Sequence, residues 1–444
     1  MVSQDLIQAH LQDRVEDLAL HRSRFAELTD EDWRFFLQQI EGWQRTKDKL
    51  PTFATGSWWY PPRISCEQCS SEATARYKAQ ILVDGSQCTM HGLIDLTGGA
   101  GVDTYFMGEK FETVDYVEQN AELCALARHN LPSKVTVHNT TAEEFLNRPP
   151  SADRTRTADA DGTRAVHTPY SISEHSERSK RYLSTIYIDP ARRDKNGGKV
   201  FRLEDCTPNV LELLPRMRDV ADTIMIKLSP MLDITAALHS LGDGWQVHIV
   251  AVKNEVKEVL LVTPPSPLNK GGVMITTDVA EGWRFEFTRE EENNTTCPFT
   301  NLQIDSFTNC YLYEPGAAIL KAGAYKLVGA RYGLNKLDVN THLYVSDQLI
   351  NDFPGRVFKI HRFINRPPSA DRTRTADADG TRAVHTPYSI SEHSERSKFN
   401  VLTRNYVMGA EELKKKLKVR DGGTQYIIGT RVKGKPVLLL AERC

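Results

Sequence analysis

Short apolar runs alternate with amphipathic stretches across the middle of the chain. Strands that alternate with helices form a parallel sheet covered on both faces, and two adjacent apolar runs near the end of this region predict an antiparallel edge. The predicted strands are 92–97, 113–117, 135–138, 184–189, 223–228, 247–252 and 258–263, with helices near 119–131, 205–218 and 233–241. The pattern therefore predicts an α/β, Rossmann-like sheet.

The two flanking regions differ from this pattern. Apolar residues recur at helical spacing over 3–46, and Thr29 with Asp32 forms a capping-box start within that stretch. A mixed α+β pattern runs from about 280 to the end. We therefore predict three parts, which are an N-terminal helical region (1–60), the α/β domain (61–279) and a C-terminal α+β region (280–444).

One segment of 34 residues occurs twice without a single difference, at 147–180 and at 365–398. Structural repeats diverge in sequence and alternate apolar faces, which this pair does not. The segment is rich in charge and poor in large apolar residues, so it cannot offset the entropy of becoming ordered. We interpret both copies as disordered insertions, and we exclude their four histidines from the candidate site.

Composition excludes several classes of protein. Hydrophobic residues make up 40% and charged residues 26% of 444 positions, and eight cysteines are scattered along the chain. These values are typical of a globular protein in a reducing compartment, so we expect a cytoplasmic location and no membrane partner. The net charge is only −2, whereas the stretch 399–444 has ten Lys/Arg and four Asp/Glu. A basic surface is therefore expected only near the C-terminus.

The strongest chemical signal is the glycine-rich sequence DLTGGAGVD at 95–103, directly after the first predicted strand. Glycines at such a turn let the backbone approach a ligand closely. The next strand ends at Glu118, where a carboxylate suits a ribose diol. Dinucleotide enzymes favour GxGxxG, whereas this DxTxGxGxD order resembles the first motif of class I S-adenosylmethionine-dependent methyltransferases. An acid such as Asp95 suits the ammonium of that cofactor and would repel a pyrophosphate.

A second motif, Asp189-Pro190-Ala191-Arg192-Arg193, follows the fourth predicted strand. Class I methyltransferases that act on exocyclic amines carry an Asn/Asp-Pro-Pro-aromatic motif at this position. Here alanine replaces the second proline and Arg192 replaces the aromatic residue, although an arginine plane also stacks on bases or binds phosphate. Cys66 and Cys69 have no partners at metal spacing, so we predict no metal site.

Four motifs together resemble a bacterial family of class I methyltransferases that carries a C-terminal THUMP-like domain. They are DLTGGAGVD, EQCSSEATARYK at 67–78, YIDPARRD at 187–194 and NCYLYEPGAAILKAGAYK at 309–326. The resemblance implies a Rossmann-like sheet followed by a ferredoxin-like and THUMP-like region, S-adenosylmethionine as cofactor, and RNA as partner, since THUMP domains bind structured RNA.

The motifs and the resemblance together give the expected site. The residues expected to bind the cofactor are Ser71, Asp95, Thr97, Gly99, Gly101, Asp103, Glu118 and Thr141. Those expected to orient the acceptor are Asp189, Pro190 and Arg192. Those expected to bind the substrate are Arg193, Lys227, Lys414, Lys415 and Lys418.

Two other functions remain open at the level of sequence. In the first alternative, the chain is a methyltransferase for a protein or a small molecule. In the second, it is a non-catalytic RNA-binding protein with a methyltransferase fold. Arg192 in place of the stacking aromatic residue keeps the non-catalytic alternative open.

Overall fold

A computed structural model describes residues 2–55, 57–83, 90–147, 183–191, 203–263, 272–301, 307–364 and 398–444. Both copies of the repeated segment lie outside these ranges, apart from their terminal residues Asn147 and Lys398. The chain divides into two compact units, Met1–Ile275 with Val279–Gly282, and Thr276–Asp278 with Trp283–Cys444.

The first unit is a mainly parallel sheet covered by helices. Its strands are β1 (Met90–Asp95), β2 (Thr113–Glu118), β3 (Val135–Asn139), β4 (Leu183–Ile188), β5 (Thr223–Leu228), β6 (Gln246–Val252), β7 (Glu255–Val262) and, up to Ile275, β8 (Val273–Asp278). Its helices are α1 (Gln4–His10), α2 (Val15–Leu20), α3 (Asp30–Thr46), α4 (Arg63–Gln68), α5 (Glu72–Val83), α6 (Val102–Gly108), α7 (Ala121–Asn130), α8 (Ala142–Asn147), α9 (Val210–Val220) and α10 (Ile234–Leu241).

The strand order confirms the predicted Rossmann-like sheet. Strands β1 to β8 follow the order β3-β2-β1-β4-β5-β7-β6-β8. The first five strands are parallel, and β7 is antiparallel to both β5 and β6. The order reverses between β1 and β4, and ligands of open α/β sheets bind at such a switch point, beyond the carboxyl ends of the strands.

The N-terminal helices pack against one another, and α3 also packs against other helices of the first unit. Thr29 caps α3 as predicted, because its Oγ1 accepts a hydrogen bond from the Asp32 N–H at 3.1 Å. Trp43 of α3 and Tyr60 share one buried apolar cluster with Phe106 of α6. The helices therefore cover apolar surface beside the glycine-rich turn.

The second unit is α+β, as the sequence predicted. Its elements after β8 are β9 (Trp283–Thr288), α11 (Arg289–Asn294), β10 (Tyr311–Pro315), α12 (Ala317–Ala322), α13 (Leu327–Arg331), β11 (Asn335–Asp338), β12 (Thr341–Ser346), β13 (Gly355–Ile364), β14 (Asn400–Thr403), α14 (Ala410–Leu417), β15 (Gln425–Val432) and β16 (Lys435–Arg443). Seven of its strands form a sheet in the order β11-β12-β10-β13-β16-β15-β14, antiparallel except for the parallel pair β14 and β15. In the part of the chain that the structure describes, no helix is long and apolar enough to cross a membrane.

Candidate active site

The glycine-rich turn after β1 is supported from beneath by Asp95. Its Oδ1 accepts a hydrogen bond from the Thr97 N–H at 3.0 Å, and its Oδ2 accepts one from the Thr104 hydroxyl at 2.5 Å. The side chain is only 1% exposed. Burial raises the pKa of Asp95 to about 7, although both hydrogen bonds oppose the rise. Asp95 therefore lies below the turn rather than on its surface.

The shape of the turn requires glycine at successive positions. Gly99 and Gly101 have φ angles of +54° and +77°, which L side chains rarely adopt. A Cβ at Gly98 would lie 2.1 Å from Cε2 of Tyr116, whose hydroxyl donates to the Gly99 carbonyl at 2.7 Å. A Cβ at Gly99 would meet no heavy atom closer than 3.7 Å. A Cβ at Gly99 would therefore make only an ordinary contact with Thr97 O, whereas Tyr116 fills the space beside Gly98.

Glu118 joins the turn to the end of β2. One carboxylate oxygen accepts a hydrogen bond from the Gly99 N–H at 3.0 Å, and the other accepts one from the Asn120 N–H at 2.8 Å. The side chain is half-buried. The structure therefore brings together the glycine turn and the acid that the sequence placed 17 residues beyond Gly101.

The motif that was predicted to orient the acceptor lies at the same switch point. The Asp189 N–H donates to Thr97 Oγ1 at 2.7 Å, which ties the end of β4 to the turn after β1. Asp189 is 37% exposed and Pro190 is buried. Arg192 and Arg193 lie outside the described residues, so their predicted roles remain predictions.

A buried cluster of charges extends below Asp189, and the sequence analysis missed most of it. Asp103 accepts hydrogen bonds from the Ser70 and Tyr187 hydroxyls, both at 2.7 Å. Lys78 Nζ lies 3.2 Å from Asp103 Oδ1 and 2.7 Å from both carboxylate oxygens of Glu258. Lys78 and Glu258 are 0% and 2% exposed.

The charges of this cluster stabilise one another. Burial alone would raise the pKa of Asp103, but Lys78 and Lys227 outweigh it and lower that pKa below its ordinary value. For Glu258 burial dominates, so its pKa is raised despite the ion pair with Lys78. The signal in the sequence was Glu258 itself, a charge that directly precedes the apolar run 259–262.

Ser71, Thr141 and Lys227 are the remaining predicted residues of the first unit. Ser71 and Thr141 form hydrogen bonds at the starts of helices, and Lys227 contacts Asp189. Ser71 directly precedes α5, and its Oγ accepts a hydrogen bond from the Thr74 N–H at 3.3 Å. Thr141 Oγ1 accepts one from the Glu144 N–H at 3.1 Å at the start of α8. Lys227 Nζ lies 2.6 Å from Asp189 Oδ2. Within the described ranges, no group of His, Cys, Asp and Glu could hold a metal ion.

The C-terminal lysines differ in how far their charges are compensated. Lys414 Nζ lies 2.6 Å from Glu411 Oε1 and 2.8 Å from Asp421 Oδ2, and its side chain is 16% exposed. Lys415 on α14 and Lys418 at its C-cap are both exposed. Lys415 and Lys418 are therefore better placed than Lys414 to contact a phosphate.

Comparisons with known proteins agree with this architecture. The profile of a ferredoxin-like domain matches residues 311–354, and that of a THUMP domain-like family matches residues 390–443. The crystal structure of a candidate methyltransferase from Porphyromonas gingivalis W83 is similar over 99% of this chain and 97% of that chain, with 27% identity and a TM-score of 0.71.

Two curated proteins of Mycobacterium tuberculosis, from strains CDC 1551 and H37Rv, are 25% identical over 166 residues. Both bear the name of uncharacterised S-adenosylmethionine-dependent methyltransferases. The match covers 37% of this chain and 42% of each relative, so the chain spans less than half the length of these relatives.

The sheet order, the glycine turn and the comparisons define the fold as that of the class I methyltransferases. Within this class, the C-terminal part of the chain matches ferredoxin-like and THUMP-like domains. This confirms the family resemblance carried by the four motifs.

Proposed function

We propose that the chain is an S-adenosylmethionine-dependent methyltransferase that acts on RNA. The observation that carries the proposal is the meeting of three elements at one switch point. Thr97 Oγ1 accepts a hydrogen bond from the Asp189 N–H, and Glu118 accepts one from the Gly99 N–H. These two hydrogen bonds hold together the turn proposed to bind the cofactor, the carboxylate proposed to bind the ribose and the motif proposed to hold the acceptor.

The residues present fit this cofactor. The backbone of Gly99 and Gly101 would approach its methionine part, since neither residue has a side chain and both adopt positive φ angles. Glu118 would accept hydrogen bonds from the ribose hydroxyls in addition to those from the Gly99 and Asn120 N–H groups, because each carboxylate oxygen has two lone pairs. Asp95 acts through the shape of the turn, because its carboxylate is buried. Carboxylates outnumber ammonium groups around the site, which favours a cationic cofactor over a pyrophosphate. The carboxylates are those of Asp103, Asp189, Glu118 and Glu258, and the ammonium groups are those of Lys78 and Lys227.

Asp189 and Pro190 would hold the acceptor group. The cofactor supplies a methyl group on a sulfonium that is already electrophilic. The protein therefore has to fix the acceptor in line and at near-attack distance, which can provide most of the acceleration. Asp189 is suited to this task because its backbone is anchored to Thr97 while its side chain is partly exposed.

RNA is the acceptor that the C-terminal unit favours. The THUMP-like match covers residues 390–443, and ten of the last 46 residues are Lys or Arg. Basic residues at this density neutralise phosphates and give an affinity that falls with salt.

The seven cysteines of the described ranges are all free, which fits a cytoplasmic protein.

The test is transfer of radiolabelled methyl from S-adenosylmethionine to three separate pools, which are unfractionated RNA, DNA and protein extract. The pools should come from cells that lack the gene, so that acceptor positions are unmodified. The proposal predicts label in RNA, and no label with the Asp189→Ala variant. Label in protein alone would favour the protein methyltransferase, and cofactor binding without label in any pool would favour the non-catalytic alternative.

A further inference from the structure

Lys227 at the end of β5 points inward, towards Asp189. Its Nζ lies 2.6 Å from Asp189 Oδ2, 3.3 Å from Ser70 Oγ and 3.9 Å from Asp103 Oδ2. The Lys227 side chain is 13% exposed, against 37% for Asp189. An ammonium has three N–H donors, and these three oxygens surround it. The Lys227 ammonium therefore has little capacity left to bind an anion of the substrate.

The surrounding groups keep Lys227 charged. Burial alone would lower its pKa, but Asp189, Asp103 and Glu258 outweigh burial and raise the pKa above its ordinary value. The titratable groups facing the Lys227–Asp189 pair come from every neighbouring element. They are Cys69 at the end of α4, Lys78 on α5, Asp95 on β1, Asp103 on α6, Tyr187 on β4 and Glu258 on β7.

We propose that Lys227 is a positioning residue that holds the Asp189 carboxylate in one orientation for the acceptor group. One oxygen of Asp189 is fixed by the ammonium, and this fixes the direction of the other. A carboxylate accepts hydrogen bonds, so the site would select an acceptor group that carries its own N–H or O–H donor. This inference rests on the proposed function, and it replaces the expectation from the sequence that Lys227 binds a substrate anion.

The first test measures the effect of Lys227 on position 189 without using methyl transfer. In the Asp189→Cys variant, alkylation of the introduced thiol by iodoacetamide is followed against pH by peptide mass spectrometry. A neighbouring ammonium favours the thiolate. We expect the midpoint of alkylation to move up by about one pH unit or more when Lys227→Met is added, since an opposite charge at this distance shifts a pKa by about 1–3. With Lys227→Arg added instead, the midpoint should stay near that of the single variant.

The second test is a double-mutant cycle of Asp189→Asn and Lys227→Met on the rate of methyl transfer to unfractionated RNA. If Lys227 acts through Asp189, Lys227→Met slows transfer strongly in the wild-type background and much less in the Asp189→Asn background. Thermal unfolding of all four proteins separates this effect from loss of fold. Cofactor affinity is measured by calorimetry in all four proteins, and rates are compared at saturating cofactor, so that a change in cofactor binding is separated from a change in transfer.

The outcomes distinguish the inference from the proposed function. An unchanged alkylation midpoint overturns the inference whatever the activity, and additive rate losses in folded variants overturn the positioning role. If the wild-type protein labels no acceptor while the midpoint still moves, the proposed function fails and the Lys227–Asp189 pairing stands.

Discussion

The backbone N–H of Asp189 donates a hydrogen bond to Thr97 Oγ1 at 2.7 Å, and this bond joins the two motifs of the active site. Thr97 belongs to the turn after β1, and Asp189 follows β4. Their register is set within the sheet, where Asp95 of β1 pairs with Tyr187 of β4. The position of the acceptor motif therefore depends on a side chain of the cofactor turn.

Replacing Thr97 with valine should disturb both motifs. The Asp189 N–H would lose its acceptor, and an unsatisfied group of this kind costs about 1–3 kcal/mol. Because small displacements of reacting groups are costly, methyl transfer should fall by about tenfold or more. Thr97→Ser keeps the hydroxyl and is the matched control. Equal transfer rates for the valine and serine variants would show that the bond does not position Asp189.

The buried Asp95 should make stability fall as pH rises. Its pKa is about 7 in the folded protein and 3.8 without burial, so the folded state binds the proton more tightly between these values. The free energy of unfolding should therefore decrease from about pH 4 to about pH 7 through this group. Asp95→Asn removes the titration and can still pair with the Thr97 N–H and the Thr104 hydroxyl.

Urea unfolding of the Asp95→Asn and wild-type proteins checks this sign. The free energy of unfolding of the variant minus that of the wild type should be larger at about pH 8 than at about pH 5. A stability difference that does not change with pH would contradict the raised pKa.

The buried ion pair of Lys78 and Glu258 should be costly to break on one side only. Lys78→Met leaves the Glu258 carboxylate buried without its ammonium, which typically destabilises a protein by about 3–5 kcal/mol. Adding Glu258→Leu removes the unpaired charge and should restore much of the loss. Denaturant unfolding of both variants measures this, and a double variant no more stable than Lys78→Met would contradict the pairing.

The exposed lysines of the C-terminal unit should contribute to RNA affinity. Replacing Lys415 and Lys418 with glutamate should weaken binding of structured RNA and reduce the slope of log affinity against log salt by about 2, since each lysine would neutralise one phosphate. Lys110→Glu, an exposed site in the first unit, is the control. Filter binding over a range of salt concentrations checks this, and the same slope in all three proteins would remove α14 from the RNA surface.

Periodicity was sufficient to predict the sheet and the position of the glycine turn. Strands β1 to β7 bury apolar side chains at spacings that the sequence displays directly, and Glu118 follows an apolar strand at the expected distance. These features depend on residues close together in the chain, which is why they could be predicted.

The charge cluster below Asp189 could not be predicted in the same way. Lys78 and Glu258 are 180 residues apart and meet only because α5 packs against the sheet near β7. Lys227 was expected from the sequence to bind the substrate, and only the 2.6 Å contact with Asp189 Oδ2 shows its other partner. Asp95 shows the same limit, since an acid in a ligand turn gives no sign in the sequence that it faces inward.

Binding of S-adenosylmethionine by the glycine turn and Glu118 underlies every proposed role of the site, and calorimetric titration measures it directly. Wild-type protein should bind S-adenosylmethionine at one site, and NAD should give no heat under the same conditions. Glu118→Ala should weaken cofactor binding by about tenfold while the protein stays folded, because a hydrogen bond to a charged group contributes about 1.5–3 kcal/mol. Glu118→Gln keeps the acceptor for the Gly99 N–H and separates the support of the turn from the ribose contact. Binding of NAD in preference to S-adenosylmethionine, or an unchanged affinity in Glu118→Ala, would contradict this assignment of the cofactor site.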